Sequence, residues 1–141
     1  MKYIVLSADV VAKAFSSKAG ASNPLLREVA EGRLVPLLSS PLFLEYETTL
    51  KQAEQRLAHG LTLDDIDGAL SAVARAAEPV DVTFLWRPQM KDPNDELVLE
   101  AAVSGSAEAI VTLKPDKFSA IATLFGIAVL APQDYMKMID A

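Results

Sequence analysis

The stretch Tyr3-Ile4-Val5-Leu6-Ser7-Ala8-Asp9-Val10-Val11 decides the fold. Tyr3 to Leu6 is a short apolar run rich in β-forming residues, which predicts a strand. From Asp9 to Phe15 the pattern changes, because Val10, Val11, Ala14 and Phe15 recur at helical spacing. A strand therefore passes almost directly into a helix, with an acid at the junction.

The same alternation continues outward from this unit. Asn23-Pro24 predicts an N-cap followed by proline at the first helical position, with the helix running to about Glu31 and stopped by Gly32. Leu34 to Leu38 predicts a second strand. Ser40-Pro41 opens a long helix with Leu42, Tyr46, Thr49, Leu50, Ala53 and Leu57 on one face, ending near His59-Gly60. Thr62, with Asp65 three residues on, caps a helix that reaches about Ala77. A strand is expected over Val80 to Leu85, a turn at Lys91-Asp92-Pro93-Asn94 and a helix from Asp95 to Ser104, ended by Gly105. Ala109 to Thr112 and Ile127 to Leu130 predict two more strands, and Pro132 to Ile139 a closing helix.

Strands that are apolar throughout and alternate with helices predict an α/β fold with a parallel sheet covered on both faces. In such sheets ligands bind beyond the carboxyl ends of the strands. Ser7 to Asp9, Pro41 to Glu45 and Thr112 to Asp116 all follow strands and are expected to gather at that edge.

The totals agree with one domain over residues 1–141. With 51% apolar residues the chain can bury a core without staples, and it has no Cys. That excludes disulfides, thiolate zinc sites and cysteine nucleophiles. No apolar run approaches the roughly 20 residues of a membrane span. The apolar start is broken by Ser7 and Asp9, too soon for the core of a signal peptide, so a cytoplasmic protein is expected. The net charge of −6 speaks against a dedicated nucleic-acid-binding module. It leaves room for an acidic enzyme that holds RNA through a bound metal.

Four acids stand near the expected edge: Asp9 after the first strand, Glu45 one turn into a helix, Asp95 at a helix start and Asp116 after a late strand. Carboxylates gathered there would repel one another unless a cation sat between them. Mg²⁺ or Mn²⁺ suits all-oxygen surroundings and can activate water for in-line displacement at phosphorus. The plainer account is that Asp9 and Asp95 favour helix N-termini through the dipole. On that account Glu45 is a solvated helix residue and Asp116 belongs to a turn. His59, the one His, fits a helix C-terminal residue and has no evident orienting partner. Ser7, Ser39 and Ser40 have no evident base, and no glycine-rich phosphate loop is present. Phe84 and Trp86 fit core packing. Arg87, Lys91 and Lys114 are the candidate phosphate contacts.

Taken together, five segments resemble the PIN-domain family. They are Ile4 to Val11, Leu38 to Tyr46, Lys91 to Ala102, Ala107 to Thr112 and Ile127 to Tyr135. The most specific pair is Ser40-Pro41…Glu45 with Asp92-Pro93-Asn94-Asp95. The nearest branch resembles the toxin halves of bacterial toxin–antitoxin pairs, of the VapC type. The resemblance implies a three-layer α/β/α sandwich, Mg²⁺ or Mn²⁺ held by clustered acids, and cleavage of single-stranded RNA. It also implies a cognate antitoxin protein and a homodimer, for which Phe15, Leu25, Leu26 and Val29 are the expected apolar patch.

By this resemblance Glu45 and Asp95 stand at the family's second and third acidic positions. The first and last positions depart from the pattern. Ser7 replaces the first carboxylate, with Asp9 two residues later, and Lys114 stands where an Asn or Asp is usual, with Asp116 close behind. The Lys114 ammonium can fill a cation's role there. Two functions follow: a metal-dependent endoribonuclease using Asp9, Glu45, Asp95 and Asp116, or a PIN-like module that binds a partner protein or RNA without cleaving it. An unrelated small-molecule α/β protein is the third possibility.

Overall fold

The computed structural model describes residues 2–16, 22–52, 60, 62–82, 90 and 92–140. Strands β1 (Lys2–Leu6), β2 (Leu34–Leu38), β3 (Glu78–Pro79), β4 (Ala109–Val111) and β5 (Ala128–Leu130) form one sheet. Their order is β3-β2-β1-β4-β5, and every neighbouring pair is parallel. Helices α1 (Ala8–Ser16), α2 (Ser22–Ala30), α3 (Ser40–Lys51), α4 (Leu63–Ala76), α5 (Pro93–Ser104), α6 (Ser119–Leu124) and α7 (Pro132–Asp140) complete a three-layer α/β/α fold. No helix among the described residues is long and apolar enough to cross a membrane.

β1 is central, and Ile4, Val5 and Leu6 are at most 1% exposed. Its register sets Ile4 against Pro36 on one side and Ala109 on the other. Pro36 has no N–H to give a ladder, and it sits in β2 before the pairing with β3, which begins at Leu37. The chain steps from β1 to β2 to β3, then returns to add β4 and β5 on the other side of β1. The order thus reverses between β1 and β4, and a crevice is expected at their carboxyl ends.

Several sequence expectations need correction. The third strand is Glu78–Pro79, and residues 80–82 of the strand expected over Val80 to Leu85 are not in the sheet. Its partner is the last two residues of β2, and the Val80 amide closes the pairing on the Leu38 carbonyl at 3.0 Å. Residues 80–82 then leave the sheet, and residues 83–85 lie outside those described. Apolar composition did not mark Glu78–Pro79, because pairing depends on which backbone reaches the sheet edge. α5 begins two residues before Asp95, since Asp92 is its N-cap and Pro93 takes the first turn. α6 was not expected, because six residues are too few for a helical period to declare itself. The extension of α3 toward His59 falls on residues outside those described.

Three of the four residues expected to form a dimer patch, Leu25, Leu26 and Val29, pack in the chain's own core. Leu25 and Val29 are 0% and 6% exposed, and Leu26 packs against the same cluster. The side chain of Phe15 lies outside the described residues.

Candidate active site

A cleft of about 440 Å³ opens where β1 and β4 end. Ser7 makes the first wall. Its amide donates to the Val111 carbonyl at 3.0 Å, continuing the pairing of β1 with β4, and its carbonyl accepts from the Val10 and Val11 amides that start α1. These bonds hold Ser7 at 5% exposure, and its hydroxyl donates to the Asp9 carboxylate. Asp9 thus enters the cleft from the first turn of α1.

Glu45 arrives from α3. The Ser39 hydroxyl caps this helix by accepting the Leu42 amide at 3.2 Å. Leu42, Tyr46 and Leu50 are buried at intervals of four residues, which fixes the helix's rotation. The Tyr46 hydroxyl also donates to the Leu6 carbonyl, tying α3 to the end of β1. Glu45, one position earlier, lines the cleft, and the Thr49 hydroxyl donates to its Oε1 at 3.1 Å.

Asp95 comes from the first turn of α5. The Asp92 carboxylate caps the helix by accepting the Asn94 amide at 2.9 Å. The Asp95 side chain is only 19% exposed, and the Lys117 ammonium lies 3.7 Å from its Oδ2. Burial pushes the Asp95 carboxyl above the usual carboxylate range. Lys117 opposes that shift, while the negative charges of Asp92 and Asp9 add to it. Asp9 and Asp95, far apart in the chain, therefore share one electrostatic neighbourhood.

The cleft lining includes Ser7, Asp9, Glu45, Asp95 and Lys114 among the residues singled out in the sequence. Asp116 is not in the lining. It is exposed in the short 3₁₀ turn Pro115–Lys117. Arg87 and Lys91 lie outside the described residues. Sequence reasoning missed Asp92, Lys13 and Lys117, all of which line the cleft. Asp92 carried a signal, since Asp before Pro favours a helix cap. Lys117 carried none, because a basic residue in a turn is ordinarily solvated surface.

Carboxylates from three elements are the hard oxygen donors that Mg²⁺ and Mn²⁺ prefer. Among the described residues, however, no three of Asp, Glu or His come close enough to enclose an ion. The donor set fits an ion held by one or two carboxylates, with its other positions left to water and a substrate phosphate.

Residues 3–114 match a family model described as PIN domain. That span holds Ser7, Asp9, Glu45, Asp95 and Lys114 and ends before Lys117. No curated protein matches the chain.

Proposed function

We propose that this chain, which belongs to the PIN-domain family, is an endoribonuclease-type protein that takes single-stranded RNA into the cleft of Asp9, Glu45 and Asp95. One observation carries the proposal: carboxylates from α1, α3 and α5 line a single crevice at the point where the strand order reverses. Crevices at such points are where α/β sheets bind ligands.

Mg²⁺ or Mn²⁺, when bound, supplies charge neutralisation at phosphorus and a more acidic water. The protein's own residues do the rest. Asp9 and Asp95 would hold the ion, and Glu45, steadied by Thr49, would orient a water in the cleft. Lys13 and Lys114 in the same lining draw the phosphates in, with Arg87 and Lys91 as further contacts. Residues 1–141 act as one such domain, cytoplasmic and paired as a homodimer. The toxin role, with an antitoxin that covers this cleft, follows from the family branch the sequence resembles.

Two contacts favour a second reading, a PIN module that binds RNA or a protein without cleaving it. Ser7 offers a hydroxyl already committed to Asp9, and Asp95 is already paired with Lys117. Cleavage of a labelled single-stranded RNA with Mn²⁺ decides between the two. Activity in the wild type that is lost in Asp9→Asn and Asp95→Asn supports the nuclease. An inactive wild type that becomes active as Ser7→Asp supports a decayed site. If neither form cuts while both remain folded, the nuclease reading falls and the binding module stands.

A further inference from the structure

We propose that Lys117 is a tethered counter-ion for Asp95 that a divalent cation must displace, so that the cleft's affinity for metal is set by a residue of the chain itself. This deepens the function proposed above and rests on the cleft being a cation site. Lys117 reaches the cleft from the turn after β4, on the side facing α5. Its Nζ lies 3.7 Å from Asp95 Oδ2. The two ends of the pair differ in a way that suits exchange. The Asp95 carboxylate is fixed in the first turn of α5 with 19% of its side chain exposed, whereas 43% of the Lys117 side chain is exposed. The long lysine stem can therefore withdraw into water at little cost, while the carboxylate stays in place.

The surrounding charge explains why a cation is held there at all. Asp92 and Asp9 both bear on Asp95. Asp92 is occupied in capping α5, and Asp9 accepts the neutral hydroxyl of Ser7. The Lys117 ammonium is in contact with Asp95 and gives it a positive partner without an ion. A divalent cation gains more from the same carboxylate but has to give back the lysine's contact. An RNA phosphate entering with the ion offers the displaced ammonium a new partner. The cleft then loads metal together with substrate in preference to metal alone.

The test measures free Mn²⁺ by electron paramagnetic resonance during titration of wild type, Lys117→Met, Lys117→Arg and Lys114→Met. Lys117→Met should bind Mn²⁺ about fivefold more tightly than wild type, the order expected from one partly exposed ion pair. Lys117→Arg, which keeps the charge and the contact, should stay near wild type. Lys114→Met removes the same charge from the same lining and should shift affinity by clearly less. The Lys117→Met gain should disappear when Asp95→Asn is added, and circular dichroism of each variant checks that it is folded. Equal shifts for the two methionine variants would reduce Lys117 to a general charge effect and overturn the proposal. Unchanged or weaker binding in Lys117→Met, including no binding by either protein, would overturn it too. RNA cleavage is a separate readout, so a failed nuclease assay with the expected Mn²⁺ shifts removes the activity and leaves the counter-ion standing.

Discussion

α3 and α5 begin alike and serve their acids differently. Each starts with a polar cap and a proline in its first turn, Ser39 with Pro41 and Asp92 with Pro93. In α3 the cap is a buried neutral hydroxyl, and the neighbour steadying Glu45 is Thr49 one turn along the same helix. In α5 the cap is itself a carboxylate, and the neighbour steadying Asp95 is Lys117 from a turn 22 positions on in the chain. The first arrangement is local and tolerant. The second crowds negative charge and depends on a distant element for relief.

The largest expected effect breaks the pair on function. If both acids serve one reaction, Glu45→Gln and Asp95→Asn should each lower RNA cleavage by about 100-fold or more, the scale of removing one group that stabilises transition-state charge. Stability should separate them. The Asp95 carboxyl is held above its usual range, so its ionised form opposes folding at neutral pH. Asp95→Asn should therefore raise the thermal midpoint at pH 7. The advantage should shrink as the pH falls through the raised folded-state value, where wild type also carries a neutral side chain. A midpoint that falls at pH 7 would mean that the Lys117 contact outweighs burial and repulsion.

The next effect tests the anchor that α3 has on β1. Tyr46→Phe removes the hydroxyl that donates to the Leu6 carbonyl in the core and should cost about 1–2 kcal/mol in denaturant unfolding. Cleavage by the folded protein should also fall, because the same bond sets the distance from α3 to the end of β1. A loss of stability with full activity would limit Tyr46 to packing.

The smallest effect compares the caps. Ser39→Ala should cost about 1 kcal/mol, the ordinary value of a helix cap. Asp92→Ala loses a similar bond but also removes a charge that bears unfavourably on Asp95. Its cost should be measurably smaller than that of Ser39→Ala under the same conditions. Equal costs would show that the crowding around Asp95 carries no weight in folding.

Gly105, which closes α5, marks a similar limit on what helix signals convey. Its place at the helix end was evident in the sequence, but its neighbours were not. A Cβ there would meet Leu37 Cδ1 at 2.7 Å, a contact between α5 and β2 that no local pattern announces.

The sequence by itself determined the α/β class and the parallel sheet, because unbroken apolar strands alternating with amphipathic helices bury their faces in few ways. It also marked the caps at Thr62 and Gly105, since capping is chemistry between near neighbours in the chain, while at α3 it placed the opening at Ser40-Pro41, one residue past the Ser39 cap. Tertiary structure decided the rest. β3 lies at Glu78–Pro79 because the carboxyl end of β2 selects its partner by position, whatever the apolar content nearby. Asp116, one residue from Lys117, turns to solvent while Lys117 reaches Asp95, because one tight turn sends adjacent side chains in different directions. Which acids meet, and which cation already sits among them, depends on how turns and strand ends converge. Residue types and spacing do not contain that information.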